Sequence, residues 1–331
     1  MRVVFLGTPQ FAVPAFRMLL EHSYEICGVF TQPDKPSGRG QRLQPGPVKA
    51  LAQERGIPVF QPVRIRHEEN RQIAEGLQPD FIVVAAYGQI LPGWMLRAAR
   101  VAPVNIHASM LPRYRGAAPV AWPIIHGDTA TGVTTMLVHE DLDAGAILLQ
   151  QEVPIAIHTT TGELTADLSE IGAKLLIQTL DGLQKGIIKP VLQDDSRVSW
   201  APRITKEMAE ISWHRHALDI HNQIRGMNPW PVAFANFREA HLRIWRSLPA
   251  TGTTIREMAP GTFLGLSHDG IYMQCGEGTV LEILEVQLPA KGKVTGREFA
   301  NGARLSPGEM VFPSAIPASA ILGSHCFDDH I

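Results

Sequence analysis

The chain has 331 residues, of which 45% are hydrophobic and 19% charged, with a formal net charge of −2. That is the make-up of a soluble globular protein of about two domains, at roughly one per ~150 residues, and it excludes a chain that is basic or acidic throughout. Three scattered cysteines, Cys27, Cys275 and Cys326, exclude a disulfide framework and a cysteine zinc site, so no metal is expected.

The chain opens on a β-rich run, 2–6, closed by Gly7-Thr8-Pro9. It lacks the charged region and long apolar core of a secretory signal, and no later run nears the ~20 apolar residues of a membrane span; the expected location is cytoplasmic. A helical pattern covers 12–20, and a strand pattern 26–31 is closed by Gln32-Pro33-Asp34. Gly-x-Gly-x-x-Gly is missing after the first strand, which argues against a nicotinamide dehydrogenase. Residues 34–47 read as a long irregular connection, with Lys35, Arg39 and Arg42 among six glycines and prolines. It is either a solvated flexible loop or a mobile arm whose cations meet phosphates.

A helix at 48–55, a short strand at 58–60 and a helix at 68–77 follow. The runs 80–86, 101–106 and 132–138 are almost continuously apolar, the mark of strands covered on both faces. Strands alternating with helices argue for a doubly wound, mostly parallel α/β sheet of Rossmann-like type, with ligands beyond the carboxyl ends of the strands. A helix at 165–183 precedes an irregular polar stretch, 189–204, that reads as a linker. Beyond a helix at 211–225 come short strands at 233–237, 242–246, 261–266, 270–275 and 279–288. Their close spacing suggests a small β-barrel. The domains expected are thus 1–188, a linker 189–207, a barrel 208–313 and a loose tail 314–331. No internal repeat is visible.

Two polar clusters carry the chemistry. Asn105 and His107 end one strand and, two residues apart, face the same side of it. The segment runs on through Ser109, Met110, Leu111 and Pro112. Asp143 lies in a second cluster, 139–145, behind another strand. An amide, an imidazole and a carboxylate on neighbouring strand ends can stabilise an oxyanion and move protons. A lone His107 would more often be a satisfied core or loop residue, and Asp143 a turn residue before Gly145. His214 and His216 have no carboxylate or cysteine at metal spacing and read as surface residues.

These residues resemble the methionyl-tRNA formyltransferase family over about 2–313. The resemblance rests on Phe5-Leu6-Gly7-Thr8-Pro9, on the Gln32-Pro33-Asp34 turn with the Gly38-Arg39-Gly40 loop, and on Ala86-Tyr87-Gly88. It continues in Asn105-x-His107-x-Ser109 through Arg115-Gly116, in Leu142-Asp143-x-Gly145, and in Asn228-Pro229-Trp230-Pro231 of the second domain. The Asn/His/Asp set is common to the wider folate-dependent formyltransferase superfamily; the Arg39 loop and the Asn-Pro-Trp-Pro domain narrow it.

The resemblance implies transfer of a formyl group from 10-formyltetrahydrofolate to the α-amino group of methionine on initiator tRNA, through direct amine attack and a tetrahedral oxyanion. It makes Asn105 and His107 the oxyanion stabilisers, and Asp143 the carboxylate that orients the ring and helps move the proton. It assigns the folate to Ser109, Met110, Leu111, Pro112, Ala86, Tyr87 and Gly88, whose backbone groups would clasp the pterin. Lys35, Arg39 and Arg42 become candidates for the tRNA acceptor end, with an oligonucleotide-binding-type barrel behind them. From Thr205 onward 11 Lys+Arg stand against 13 Asp+Glu, so that barrel is not basic overall. A monomer is expected. Asp141 stands where the family usually has glycine, and is expected to point to solvent.

Other readings keep the same chemistry on another amine, an amino-sugar nucleotide or glycinamide ribonucleotide, or put water in its place and hydrolyse formyl-folate. A non-catalytic tRNA-binding module is the alternative of a different class, and the intact polar triad argues against it.

Overall fold

The computed structural model describes residues 1–22, 24–37, 42–250 and 258–313, with backbone alone at Ser37 and Arg42. The tail 314–331 and Arg39 lie outside the described residues. The elements run β1 (Arg2–Gly7), α1 (Val13–Glu21), β2 (Glu25–Phe30), β3 (Lys35–Ser37), β4 (Arg42–Gln44), α2 (Pro47–Glu54), β5 (Val59–Phe60), α3 (Glu68–Gly76) and β6 (Phe81–Ala85). They continue α4 (Gly93–Ala98), β7 (Ala102–His107), β8 (Arg115–Gly116), α5 (Ala121–Ile125), β9 (Ala130–Leu137), β10 (Ile147–Pro154), α6 (Thr161–Gln184) and β11 (Trp200–Ala201).

The chain divides into two units, and the first comprises 1–119, 130–154 and 165–201. Its sheet has the order β10-β9-β7-β6-β1-β2-β5. Five strands, β5 to β7 in that order, are mutually parallel. Their apolar runs follow from burial on both faces: Val3 to Leu6 and Phe81 to Val83 are each fully enclosed. On one face Val4, Leu6, Phe30, Ile82, Tyr87 and Met95 form a single core cluster. Each large side chain so enclosed contributes about 1.5–3 kcal/mol over leaving it in water.

Two local readings are corrected. The run at 132–138 is a strand, but β9 is antiparallel to β7, and β10 returns antiparallel to β9. A doubly covered strand looks the same in sequence in either direction, and β10 hides because its middle, Gln150-Gln151-Glu152, is polar at a sheet edge. Among the described residues of the connection 34–47, two short strands stand where irregular chain was expected: β3 and β4 pair antiparallel, Lys35 opposite Gln44 and Ser37 opposite Arg42. The stretch expected as a linker is paired at two points, where Val191 bridges Ile147 and where β11 lies parallel to β8.

The second unit comprises 120–129, 155–164 and the residues from 202 on. Its elements after β11 are α7 (Ala217–Gly226), β12 (Phe234–Phe237), β13 (Ala240–Pro249), β14 (Phe263–Leu266), β15 (Ile271–Gln274), β16 (Val280–Gln287), β17 (Val294–Thr295) and α8 (Gly296–Ala303). The strands form a curled antiparallel half-barrel sheet in the order β12-β13-β16-β15-β14, with β17 on β16. Trp213 stacks on Phe312 with ring centroids 5.0 Å apart, inside a core that includes Ile220, Ile224, Leu242, Ile283 and Phe299. The helix expected from 211 starts at Ala217. Ile211 instead donates its N–H to the Phe234 carbonyl, and the His216 ring caps the helix by accepting from the Leu218 N–H.

Candidate active site

β7 holds the amide and the imidazole. Asn105 lies opposite Val84 of β6 and Met136 of β9, and His107 lies opposite Thr134. The pleat puts both side chains on one face of the strand. His107 is buried, at 5% exposure, and its Nε2 lies 2.9 Å from the Tyr114 carbonyl oxygen. A carbonyl only accepts, so Nε2 carries a hydrogen and Nδ1 is the nitrogen free to take or give a proton. Nδ1 sits 3.6 Å from Oδ2 of Asp143, too long for a good hydrogen bond but an ion-pair distance once the ring is charged. The same Oδ2 accepts the Gly116 N–H at 2.9 Å.

Asp143 reaches this place by a different route from the one the sequence implies. Because β9 is antiparallel, its last residue, Leu137, lies beside Val104, at the opposite end of β7's run from His107. The loop 138–146 must fold back to bring the carboxylate to the ring. Gly145 makes that possible: a Cβ there would stand 1.7 Å from the Leu137 carbonyl oxygen. Asp143 itself adopts a left-handed backbone, φ 51°, which aspartate tolerates better than most residues.

The segment after His107 is held from below by Thr134, which is fully buried. Its hydroxyl donates to the Ser109 carbonyl at 2.7 Å and accepts the Leu111 N–H at 3.2 Å. Gln150 Nε2 donates to the Leu111 carbonyl at 2.8 Å, and Ser109 Oγ donates to the Arg113 carbonyl at 2.6 Å. Met110 packs over Gly132, and Pro112 completes the segment beside it. Thus the backbone between Ser109 and Pro112 is already shaped, and what it still offers is the second lone pair of its carbonyls.

Ala86, Tyr87 and Gly88 follow β6, with positive φ at Ala86 (49°) and Gly88 (86°). The Tyr87 ring is turned into the core, where burial pushes its phenol well above the usual range. Its carbonyl accepts from Gln32 Nε2 at 3.1 Å. Lys35 is exposed on β3, Arg42 is described in backbone only, and Arg39 lies outside the described residues. Near the base of that hairpin, Lys49 bonds Asp34 at 2.6 Å and Gln61 at 2.7 Å, and these partners hold the Asp34 carboxyl below the ordinary range. Asp141, beside His139 at 3.4 Å, is 80% exposed and does point to solvent.

Sequence reasoning missed the frame around Asp143. Arg115, 7% exposed, bonds Gln193 Oε1 through Nε at 3.0 Å and a terminal nitrogen at 2.8 Å. Gln193 Nε2 in turn donates to the Asp143 and Gly145 carbonyls, each at 2.8 Å. Tyr114 and Arg115 are tied to Ser199 through its hydroxyl and carbonyl. The Gly116 backbone, at φ 124°, passes so close to Ala201 that a Cβ would meet its carbonyl oxygen at 2.8 Å. No motif marks Gln193, because a glutamine in a polar, proline-broken stretch looks like any other.

A parallel sheet ending in an antiparallel pair, with an amide, a ring nitrogen and an acid gathered about β7, can steady charge on a carbonyl oxygen and shuttle one proton. Residues 1–180 match the formyl transferase family and residues 203–304 match the formyl transferase C-terminal domain. The protein is therefore of the formyltransferase class, a one-carbon transferase. A methionyl-tRNA formyltransferase of Citrifermentans bemidjiense is 45% identical over 311 residues, 94% of this chain and 96% of that one. The same-named protein of Bacillus velezensis is 43% identical over 310 residues, 94% of this chain and 97% of that one. The chain belongs to the methionyl-tRNA formyltransferase family. Among solved structures, the N-formyltransferase of Helicobacter canadensis, crystallised with folinic acid and dTDP-3-aminofucose, shares the fold. Its TM-score is 0.65 at 18% identity, over 85% of this chain and 98% of that one. The sugar formyltransferase WlaRD is similar, with a TM-score of 0.64 at 18% identity, over 88% of this chain and 99% of that one.

Proposed function

We propose that this chain moves the formyl group of 10-formyltetrahydrofolate onto the α-amino group of methionyl-tRNA, the initiator tRNA, and so prepares it for translation initiation in the cytoplasm. The acceptor rests on the near-full-length identity to methionyl-tRNA formyltransferases. The chemistry rests on one observation above all: His107 is anchored through Nε2, which leaves Nδ1 free for a proton, 3.6 Å from Oδ2 of Asp143.

The donor set fits a folate. A pterin edge is rich in N–H groups, and the carbonyls of Ser109 and Leu111, with that of Tyr87, are acceptors held in place by Thr134, Gln150 and Gln32. Met110, Leu111 and Pro112 supply apolar cover, and Ala86 and Gly88 the turn beside it. When bound, the folate supplies a formyl carbon on a nitrogen able to leave. Asn105 then donates its amide hydrogen to the formyl oxygen as charge grows there. His107 donates from Nδ1 to the same oxygen while its ring is charged, with Asp143 as counter-ion. Asp143 also relays the proton lost by the attacking amine toward the departing nitrogen. The amine is itself the nucleophile, so no covalent enzyme adduct is required.

Lys35, Arg39 and Arg42 meet the phosphates of the acceptor end in this reading. The second unit takes the acceptor arm. Its mixed surface charge means that a local face, rather than net charge, does the binding.

Purified protein is offered 10-formyltetrahydrofolate with methionyl-tRNA, an amino-sugar nucleotide or glycinamide ribonucleotide. Formyl-methionyl-tRNA is the expected product; formylation of a small amine in preference to the charged tRNA would overturn the assignment. Arg42→Ala is expected to weaken use of the tRNA and leave folate affinity intact.

A further inference from the structure

We propose that Gln193, fixed by Arg115, is the positioning residue that aims the Asp143 carboxylate at His107; this rests on the formyl-transfer reading above. The need for such a residue comes from the sheet. The 138–146 loop leaves an antiparallel strand, turns back over Gly145 and carries its acid on a left-handed residue. Nothing in that path alone selects the rotation of Asp143 that faces the ring. A short surface loop with free carbonyls would sample several.

Gln193 removes that freedom. One amide nitrogen donates to both the Asp143 and the Gly145 carbonyls, at 2.8 Å each, bracketing the residue whose side chain matters. The orientation of the amide is dictated by chemistry. Arg115 offers only donors, so it must face Oε1, and the two backbone carbonyls offer only acceptors, so they must face Nε2. An amide is therefore required there; a carboxylate could satisfy Arg115 but not the loop.

Arg115 links both halves of the device. Its side chain fixes Gln193, and the residue next to it, Gly116, donates its N–H to Oδ2 of Asp143 at 2.9 Å. The backbone of Arg115 is itself held by Ser199 at 2.9 Å. The acid is thus gripped by its main chain through Gln193, which the Arg115 guanidinium holds, and by its carboxylate through the N–H of Gly116, the next residue along the backbone. Asp195 approaches that guanidinium at 3.0 Å but is 86% exposed, so solvent screens most of its pull.

The test uses the full chain, 10-formyltetrahydrofolate and methionyl-tRNA. Gln193→Glu keeps the Arg115 partner and removes the donor to the loop. Gln193→Met removes that donor and the Arg115 acceptor together, without adding charge. Each is expected to lower kcat about ten- to a hundred-fold, as for a catalytic group displaced by about 1 Å. KM for both substrates is expected to stay within about two-fold of wild type. In an Asp143→Asn background the same changes are expected to have almost no further effect, since the group they aim is already disabled. A residue that merely stabilised the fold would lower the unfolding midpoint in step with activity, and its effect would multiply that of Asp143→Asn. That result, or wild-type kcat in both variants, overturns the proposal. Should the wild-type chain formylate another amine instead, the acceptor assignment falls and the variants are judged on that amine. A wild-type chain that formylates none overturns both readings.

Discussion

His221 makes the second unit sensitive to acid. The side chain is 2% exposed on α7, with Nε2 2.8 Å from the Ile157 carbonyl and Nδ1 3.1 Å from the Ser247 hydroxyl. The carbonyl fixes a hydrogen on Nε2, and the hydroxyl can then donate to Nδ1, so the neutral ring is fully satisfied. Charging it means desolvating an imidazolium, and burial accordingly lowers its pKa from 6.5 to about 4, with the charges of Arg225 and His158 adding to the effect. The native state therefore holds fewer protons than the unfolded chain between those two values, and stability there must rise with pH. The contribution is complete above about pH 6.5 and is lost as the pH falls toward 4. At about 1.4 kcal/mol per unit, the span amounts to roughly 3 kcal/mol, of which about 2 is already gone at pH 5.

Guanidinium unfolding of wild type and His221→Gln, followed at pH 7 and pH 5, isolates this contribution. Glutamine can still donate to Ile157 but does not titrate in this range. The variant is expected to be less stable at pH 7, through imperfect packing, yet to lose about 2 kcal/mol less than wild type on going to pH 5. Equal losses in the two proteins would refute the reasoning. So would a ring resonance that titrates near pH 6.5 in the folded protein.

Asn105→Ala is expected to lower kcat about 10²–10³-fold in single-turnover formylation, through loss of one preorganised donor, with KM little changed. His107→Ala and Asp143→Asn should each cut the same rate sharply while tRNA binding, read by filter retention, stays at wild-type strength. Gly145→Ala puts a methyl group 1.7 Å from the Leu137 oxygen and must open the 138–146 loop. Turnover should fall at least about 100-fold, with the far-ultraviolet spectrum unchanged. Thr295→Ala breaks the capping box in which Thr295 Oγ1 accepts the Glu298 N–H at 3.1 Å and Glu298 Oε2 accepts the Thr295 N–H. It should destabilise α8 by about 1 kcal/mol, measured by denaturant midpoint at constant slope.

The elements legible in the sequence are those whose physics is local. β1, β2, β6 and β7 announce themselves because strands enclosed on both faces must be apolar throughout, and α1, α2 and α3 because one stripe of each is apolar. The short antiparallel strands of the second unit are legible from the turns between them. Direction is not local. The run 132–138 carries the same residues whether β9 is parallel or reversed, and only its pairing with β7 decides. β10 and the β3–β4 hairpin escape notice because their stability comes from a partner strand, not from their own pattern. His107 and Asn105 can be placed on one face from strand alternation alone. The distance between His107 and Asp143 cannot, since 35 residues and a chain reversal separate them.

That reversal accounts for the architecture of the site. In a wholly parallel sheet the loop after β9 would open at the same edge as the end of β7, and an acid there would meet His107 with little help. With β9 reversed, the loop has to be carried back along the strand, which demands a residue without a side chain at 145 and an external grip on the returning backbone. The segment 191–201 supplies the grip, through Gln193 on the loop and through Ser199 and Ala201 on the backbone around Gly116. Residues 191–201, which look like a tether, are thereby tied into the first unit. Their glutamine is placed by the direction in which β9 runs, a property that no single stretch of sequence carries.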